Sequence, residues 1–284
     1  MQYREYGKTG ALLSIVGFGG IVVTGAPQPE ADRSVREAID RGVNYFDVAP
    51  TYGDAEEKLG PALDGMRDQL FLACKTAKRE KAEAAEELRS SLKKLRTDRF
   101  DLYQLHAVSS VQEAQRCLAP GGALEAIVEA RDAGSIRYIG FSAHSEEAAL
   151  LLMEQWPFAS ALFPFNYTMY YQGKFGPQVL ENAQARGIAR LALKSMARQA
   201  WPENADKSVA PNAWYEPQTD PAVAELSLRW TLTLPITAAI PPGDPKLFRM
   251  AMDFADRFSP LSENEIESLR QDAKRLKPLF TRAA

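Results

Sequence analysis

A chain of 284 residues, 45% hydrophobic and 25% charged, has the make-up of a globular protein that can bury one large core. Its 34 Lys and Arg against 37 Asp and Glu give a formal net charge of -3, which offers no general reason to bind nucleic acid or an anionic membrane. Only two cysteines occur, Cys74 and Cys117, without CxxC spacing, so no disulfide framework and no metal site is expected.

The N-terminal "MQYREYGKTG" has no apolar stretch of the kind a signal peptide carries, and no apolar run is long enough for a bilayer, so a cytoplasmic location is expected. "QYREYGKTGALLSI" alternates around a Gly-Lys-Thr-Gly turn and predicts a β-hairpin that closes a barrel floor. Short apolar runs then alternate with amphipathic segments. The runs are "SIVGFGG", "YFDVA", "LFLACKT", "FDLYQLH", "RYIGFSA", "ALFPFN", "ARLALKS" and "ITAAIPP", too apolar on both faces for a half-wet strand, so they read as parallel strands covered on both sides. Between them lie helical patterns such as "ADRSVREAIDRG" and "ALEAIVEARDAG", several ending in Gly.

Eight such units predict an α/β fold, a (β/α)₈ TIM barrel over residues 1–284, with an open doubly wound sheet as the alternative. "SENEIESLRQDAKRL" adds an extra capped C-terminal helix. No shift in composition marks a second domain. The longest irregular stretch, "RQAWPENADKSVAPNAWYEPQTD", follows the seventh strand, and a loop of that length in a compact barrel is usually functional or mobile.

Polar groups at the C-terminal ends of barrel strands are where chemistry is expected. Asp47 ends the second run, Tyr52 follows it after Ala-Pro-Thr, Lys75 ends the third and His106 the fourth. Alone, each has a bland explanation: a helix cap, a solvated charge, a core histidine. Together, at one end of three consecutive strands, they make a device. A phenol has an ordinary pKa of roughly 10, and a neighbouring ammonium lowers it. Asp47 would hold the ammonium and His106 would bond the substrate oxygen. Such a set gives a proton to a carbonyl as another donor delivers hydride.

The blocks "NYFDVAPTYGDAEEKLG", "ACKT" and "LYQLH" resemble the motif blocks of the aldo-keto reductase family. The resemblance covers nearly the whole chain and implies Asp47, Tyr52, Lys75 and His106 as the catalytic set. It implies reversible, NAD(P)H-dependent reduction of aldehydes or ketones to alcohols, NADPH being the expected cofactor and NADH possible. The Rossmann fingerprint is absent, because Val22 stands where "GFGGIV" would need its last Gly. By resemblance the cofactor lies extended across the barrel mouth, against Gly19, Gly20, Asp47 and Ser142. Ala143 replaces the family's usual Asn, and Asn166 is expected to substitute for its carboxamide-holding Gln. Lys194, Ser195 and Met196 are expected along the pyrophosphate. Pro241, Gly243 and a helix N-terminus are expected at the adenosine phosphate, with Lys246 or Arg249 on a 2′-phosphate.

For the substrate, the resemblance implies a small-molecule carbonyl or alcohol. Ile21, Tyr52, His106, Trp201 and Trp214 are the expected walls. These are largely apolar with no fixed partner for an anion, which favours a hydrophobic or small neutral compound. A second reading is a cofactor-sensing regulatory or scaffold protein with a vestigial site, and turnover with a panel of aldehydes separates the two. A phosphate-binding barrel isomerase would need paired carboxylates or metal ligands at the strand ends, which the sequence lacks.

Overall fold

A computed structural model describes residues 1–282. Its eight-stranded parallel sheet consists of β1 (Phe18–Gly19), β2 (Tyr45–Asp47), β3 (Phe71–Thr76), β4 (Phe100–Val108), β5 (Ile136–Ala143), β6 (Ser160–Pro164), β7 (Ala189–Leu193) and β8 (Ala238–Ile240). Each strand pairs with the next in sequence. The ring closes where Val16 meets Ala239 in parallel: Gly17 N–H donates to the Ala239 carbonyl at 2.9 Å and Ala239 N–H to that of Ile15 at 2.8 Å. Eight parallel strands therefore form a nearly closed barrel with flanking helices. An antiparallel hairpin, Tyr3–Glu5 with Leu12–Ser14, precedes it.

The helices are α1 (Gln28–Asp40), α2 (Ala55–Ala62), α3 (Lys81–Lys94), α4 (Val111–Leu118), α5 (Ala123–Asp132), α6 (Glu146–Gln155), α7 (Tyr167–Tyr171), α8 (Pro177–Arg186), α9 (Pro221–Thr233), α10 (Pro245–Asp256) and α11 (Glu263–Ala273). Two of them, α4 and α7, go beyond the expected helix after each strand. Both begin at a side-chain cap: Ser110 accepts from Glu113 N–H, and Asn166 accepts from the N–H groups of Thr168 and Met169. The long segment after β7 also carries local order, a two-stranded pairing of Ala197–Gln199 with Glu216–Pro217. At the C-terminal end α11 starts with a capping box between Ser262 and Glu265.

Strand alternation decides which side chains enter the barrel. On β2, Tyr45 and Asp47 point inward and Phe46 outward, and on β3 Ala73 and Lys75 point inward while Cys74 faces the helices. The floor is apolar: Tyr6 and Leu13 of the hairpin segment pack with Tyr45, Phe71, Leu102, Leu162 and Leu191. This is the plug expected from the N-terminal sequence, and water is thereby excluded from below. Above it the register sets Lys75 directly beside Gln104 of β4, so a polar layer lies on the apolar floor at the end of the strands that carries the βα loops.

Candidate active site

Asp47, Lys75 and Gln104 are essentially buried in that polar layer. Asp47 Oδ1 pairs with the Lys75 ammonium. Its Oδ2 accepts from Tyr45 Oη at 3.1 Å and from Gln104 Nε2 at 3.0 Å. Two charges taken out of water need such additional bonds to be tolerated. Lys75 Nζ then donates to the Val48 carbonyl and to the Tyr52 hydroxyl, each at 3.2 Å. Pro50 keeps Ala49 out of the helical region, and the chain beyond returns Tyr52 over the mouth.

Burial sets the protonation states. It pushes the Tyr52 phenol above its ordinary pKa; Lys75 pulls it down and Asp47 pushes it up again. The ring remains partly exposed at the cavity, which tempers the effect of burial. The expectation of a net lowering by Lys75 is therefore corrected: Tyr52 is a phenol across the neutral range. Burial opposes the charge on Lys75, but Asp47 and Tyr52 overcome it and hold the ammonium above the ordinary lysine range. His106 is driven well below its ordinary value by burial and by neighbouring cations, Lys75 foremost, so its imidazole is neutral. Its ring stands edge-on to that of Tyr52, centroids 5.6 Å apart, with Nδ1 3.4 Å from Thr51 Oγ1.

A break in β4 aims His106. The register shifts between Leu105 and Val108, and Ala107 has a left-handed φ of 50°. The distortion is held from both sides, because Ser142 Oγ accepts from Ala107 N–H at 2.7 Å and Arg79 donates to the His106 carbonyl at 2.9 Å. Bulges next to reactive groups re-aim a side chain in this way.

These groups open into a cavity of about 300 Å³. Gly19, Ile21, Ser142, Trp214, Pro241 and Gly243 line it, together with Asp47, Tyr52, His106 and Lys194. Other expected contacts lie elsewhere. Gly20 packs its bare α-carbon against Val48, and Ser195 and Met196 are fully buried behind the wall. Trp201 donates its indole N–H to the Ala213 carbonyl at 2.8 Å and braces the loop from outside the cavity. Asn166 is not free to hold a carboxamide. Its oxygen caps α7, and its amide N–H groups reach the carbonyls of Ala197 at 2.6 Å and Lys194 at 3.3 Å.

The expected phosphate contacts at α10 are also engaged. Asp244 accepts from Lys246 N–H at 2.9 Å and Leu247 N–H at 3.0 Å, so a carboxylate already sits at that helix N-terminus. Arg249 pairs with Glu37 at 2.8 Å, and Lys246 points to the exterior.

His144, Asn212 and Ile240, which the sequence does not single out, also line the cavity beside Tyr215, Leu162 and Leu193. Lys194 is only 6% exposed. Its ammonium lies 3.0 Å from His144 Nε2 and over the rings of Trp214 and Phe280, 5.0 and 5.6 Å from their centroids. The pocket walls thus include a cation where none was expected to face the substrate. Burial lowers Lys194 to about 7, and burial together with Lys194 lowers His144 to about 3. Among the described residues, no group of three or more His, Cys, Asp or Glu could hold a metal ion, and no helix is long and apolar enough to cross a membrane.

A barrel with a buried Asp–Lys pair bonded to a tyrosine at its mouth defines the class, and the sequence agrees: the model of the Aldo/keto reductase family matches residues 16–242. The chain belongs to that family. It is 36% identical over 86 residues to the Aldo-keto reductase YhdN of Bacillus subtilis, a match covering 27% of this chain and 26% of that protein. It is 37% identical over 73 residues to L-galactose dehydrogenase of Arabidopsis thaliana, covering 24% of this chain and 23% of that protein. The matched stretches thus span about a quarter of either relative. The fold is similar to that of aldo-keto reductase AKR11C1 from Bacillus halodurans in its holo form, with a TM-score of 0.76 over 99% of this chain and 98% of that one, at 22% identity.

Proposed function

We propose that the chain is an NAD(P)H-dependent oxidoreductase that reduces aldehydes or ketones to alcohols, reversibly, with Tyr52 as the proton donor. The observation that carries the reading is the Lys75 bond to the Tyr52 hydroxyl at 3.2 Å, made by an ammonium that Asp47 keeps charged. The lining suits a nicotinamide cofactor: Leu162, Leu193 and Ile240 give an apolar surface for a ring, and Ser142 lines the same cavity. When bound, the cofactor supplies hydride to the carbonyl carbon.

The chain's own residues do the rest. Tyr52 gives its proton to the carbonyl oxygen, and the phenolate that forms is stabilised by Lys75 at the moment charge develops. Neutral His106, aimed by the break in β4, bonds the same oxygen and fixes the carbonyl's orientation. Tyr6 and Leu13 seal the floor, so the ion pair works in a water-poor medium where it acts most strongly.

The test is fluorescence titration with NADPH and with NADH, followed by turnover of 4-nitrobenzaldehyde in the same samples, for the parent and Tyr52→Phe. Cofactor binding kept and turnover lost in the variant is the expected result. Equal turnover in both overturns the role of Tyr52. Binding without turnover in the parent points instead to a cofactor sensor.

A further inference from the structure

We propose that Lys194 makes this cavity selective for carbonyl compounds that carry a carboxylate, with the acid group held by the Lys194 ammonium and the carbonyl presented to Tyr52 and His106. The inference names the substrate class of the reductase reading and rests on it.

Every other charged side chain of the cavity is matched. Lys75 has Asp47, and His106 is neutral. Lys194 has no carboxylate within ion-pair distance among the described residues, and its one polar partner is a neutral imidazole. A buried ammonium in that state is costly unless something pairs with it. The two aromatic rings beneath it offset part of the cost, and loss of the proton relieves the rest in the free protein. A carboxylate entering the cavity would complete the pair.

The chain is also built to hold the ammonium there. Lys194 has a left-handed φ of 64° at the end of β7, a conformation that is uncommon for a residue with a side chain and persists where its surroundings fix it. Asn166 fixes it, bonding the carbonyls of Lys194 and Ala197 on either side of the turn, and Ala197 N–H donates to the Lys194 carbonyl at 2.9 Å. The carboxamide expected to grip a cofactor thus orients this lysine. Trp214, which lines the cavity, stands beside the ammonium as a flat apolar wall, so the predicted ligand pairs an acid with a planar or apolar body.

The discriminating compounds are 4-carboxybenzaldehyde and its neutral methyl ester. Reduction of the ester by the parent tests the reductase reading by itself. The acid is expected to have a kcat/KM about tenfold to a hundredfold above that of the ester, the range a charge-assisted bond supplies. Lys194→Met is expected to abolish the ratio and Lys194→Arg to retain it in part. The binding of acid and ester without any nucleotide, read from tryptophan fluorescence, gives the same comparison should no turnover occur. If Lys194→Met fails to fold, the parent's ratio and the two affinities decide. Equal handling of acid and ester by the parent overturns the inference. So does a Lys194→Met variant that keeps the ratio and binds NADPH tenfold more weakly, which assigns the cation to the nucleotide.

Discussion

Lys75 Nζ joins two groups of opposite need, pairing with the Asp47 carboxylate and donating at 3.2 Å to the Tyr52 hydroxyl. The carboxylate keeps the ammonium charged, and the ammonium makes a phenolate tolerable when Tyr52 releases its proton. The two bonds lie on one nitrogen because β2 and β3 point Asp47 and Lys75 inward from adjacent strands. The relationship yields predictions for activity and for stability.

Lys75→Met should lower reduction at neutral pH by about 10²–10⁴-fold, the range of a general acid–base contribution, while nucleotide affinity changes little. The pH profile carries the sign. Reduction needs the phenol, whose pKa lies above its ordinary value, so kcat/KM of the parent should be flat through the neutral range and fall only as pH rises beyond about 10. Without Lys75 the phenol is harder to ionise, and the alkaline limb should move to higher pH. Steady-state rates from pH 6 to 11 check this; a limb that moves downward contradicts it.

Asp47→Asn removes the counter-charge of a fully buried ammonium. Breaking a buried pair from one side costs about 3–5 kcal/mol, which urea unfolding should register as a lower midpoint. Asp47→Asn combined with Lys75→Met leaves no unpaired charge and should recover much of that loss, with activity still absent. A double variant no more stable than Asp47→Asn would show that the two residues do not share one interaction.

How far the sequence displays this site depends on the range of the interactions. The strands are legible because their apolar runs are continuous, and Asp47, Lys75 and His106 stand where those runs stop. Tyr52 is legible through Pro50. The pairing of Lys194 with His144 is invisible, since fifty positions separate them and the contact depends on a left-handed residue. The role of Asn166 is hidden, because a cap on a five-residue helix leaves only a faint local pattern in "FPFNY". Asp244 is legible: Asp before Pro at a helix start is a capping signature, and its carboxylate fills the N-terminus where a phosphate is expected.

Lys194 should destabilise the ligand-free protein in a pH-dependent way. Its pKa falls from 10.5 to about 7 on folding, so between those values the unfolded chain holds a proton that the folded one lacks. The penalty on the folded state grows as pH falls from about 10 to about 7 and is complete below. Lys194→Met should therefore melt higher than the parent at pH 6, with the gain fading towards pH 10. Melting curves at the two pH values test it, and a variant less stable at pH 6 contradicts it.

Gly243 and Ile21 test the cofactor side of the mouth. A Cβ on Gly243 would lie 2.3 Å from Ile21 Cγ2 and 2.5 Å from its Cβ. A branched side chain so close to its own backbone cannot swing away cheaply, so Gly243→Ala must push Ile21 into the cavity that both residues line. Overpacking costs about 1–3 kcal/mol, and where the displaced group occupies the nucleotide's space the cost appears in binding. The expected result is a tenfold or greater loss of affinity for both NADPH and NADH. Removing the neighbour's side chain altogether, in Gly243→Ala with Ile21→Gly, takes away both clashing atoms, Cβ and Cγ2, and should restore the room and most of the affinity. Unchanged binding in the single variant would mean that the nucleotide does not use this wall.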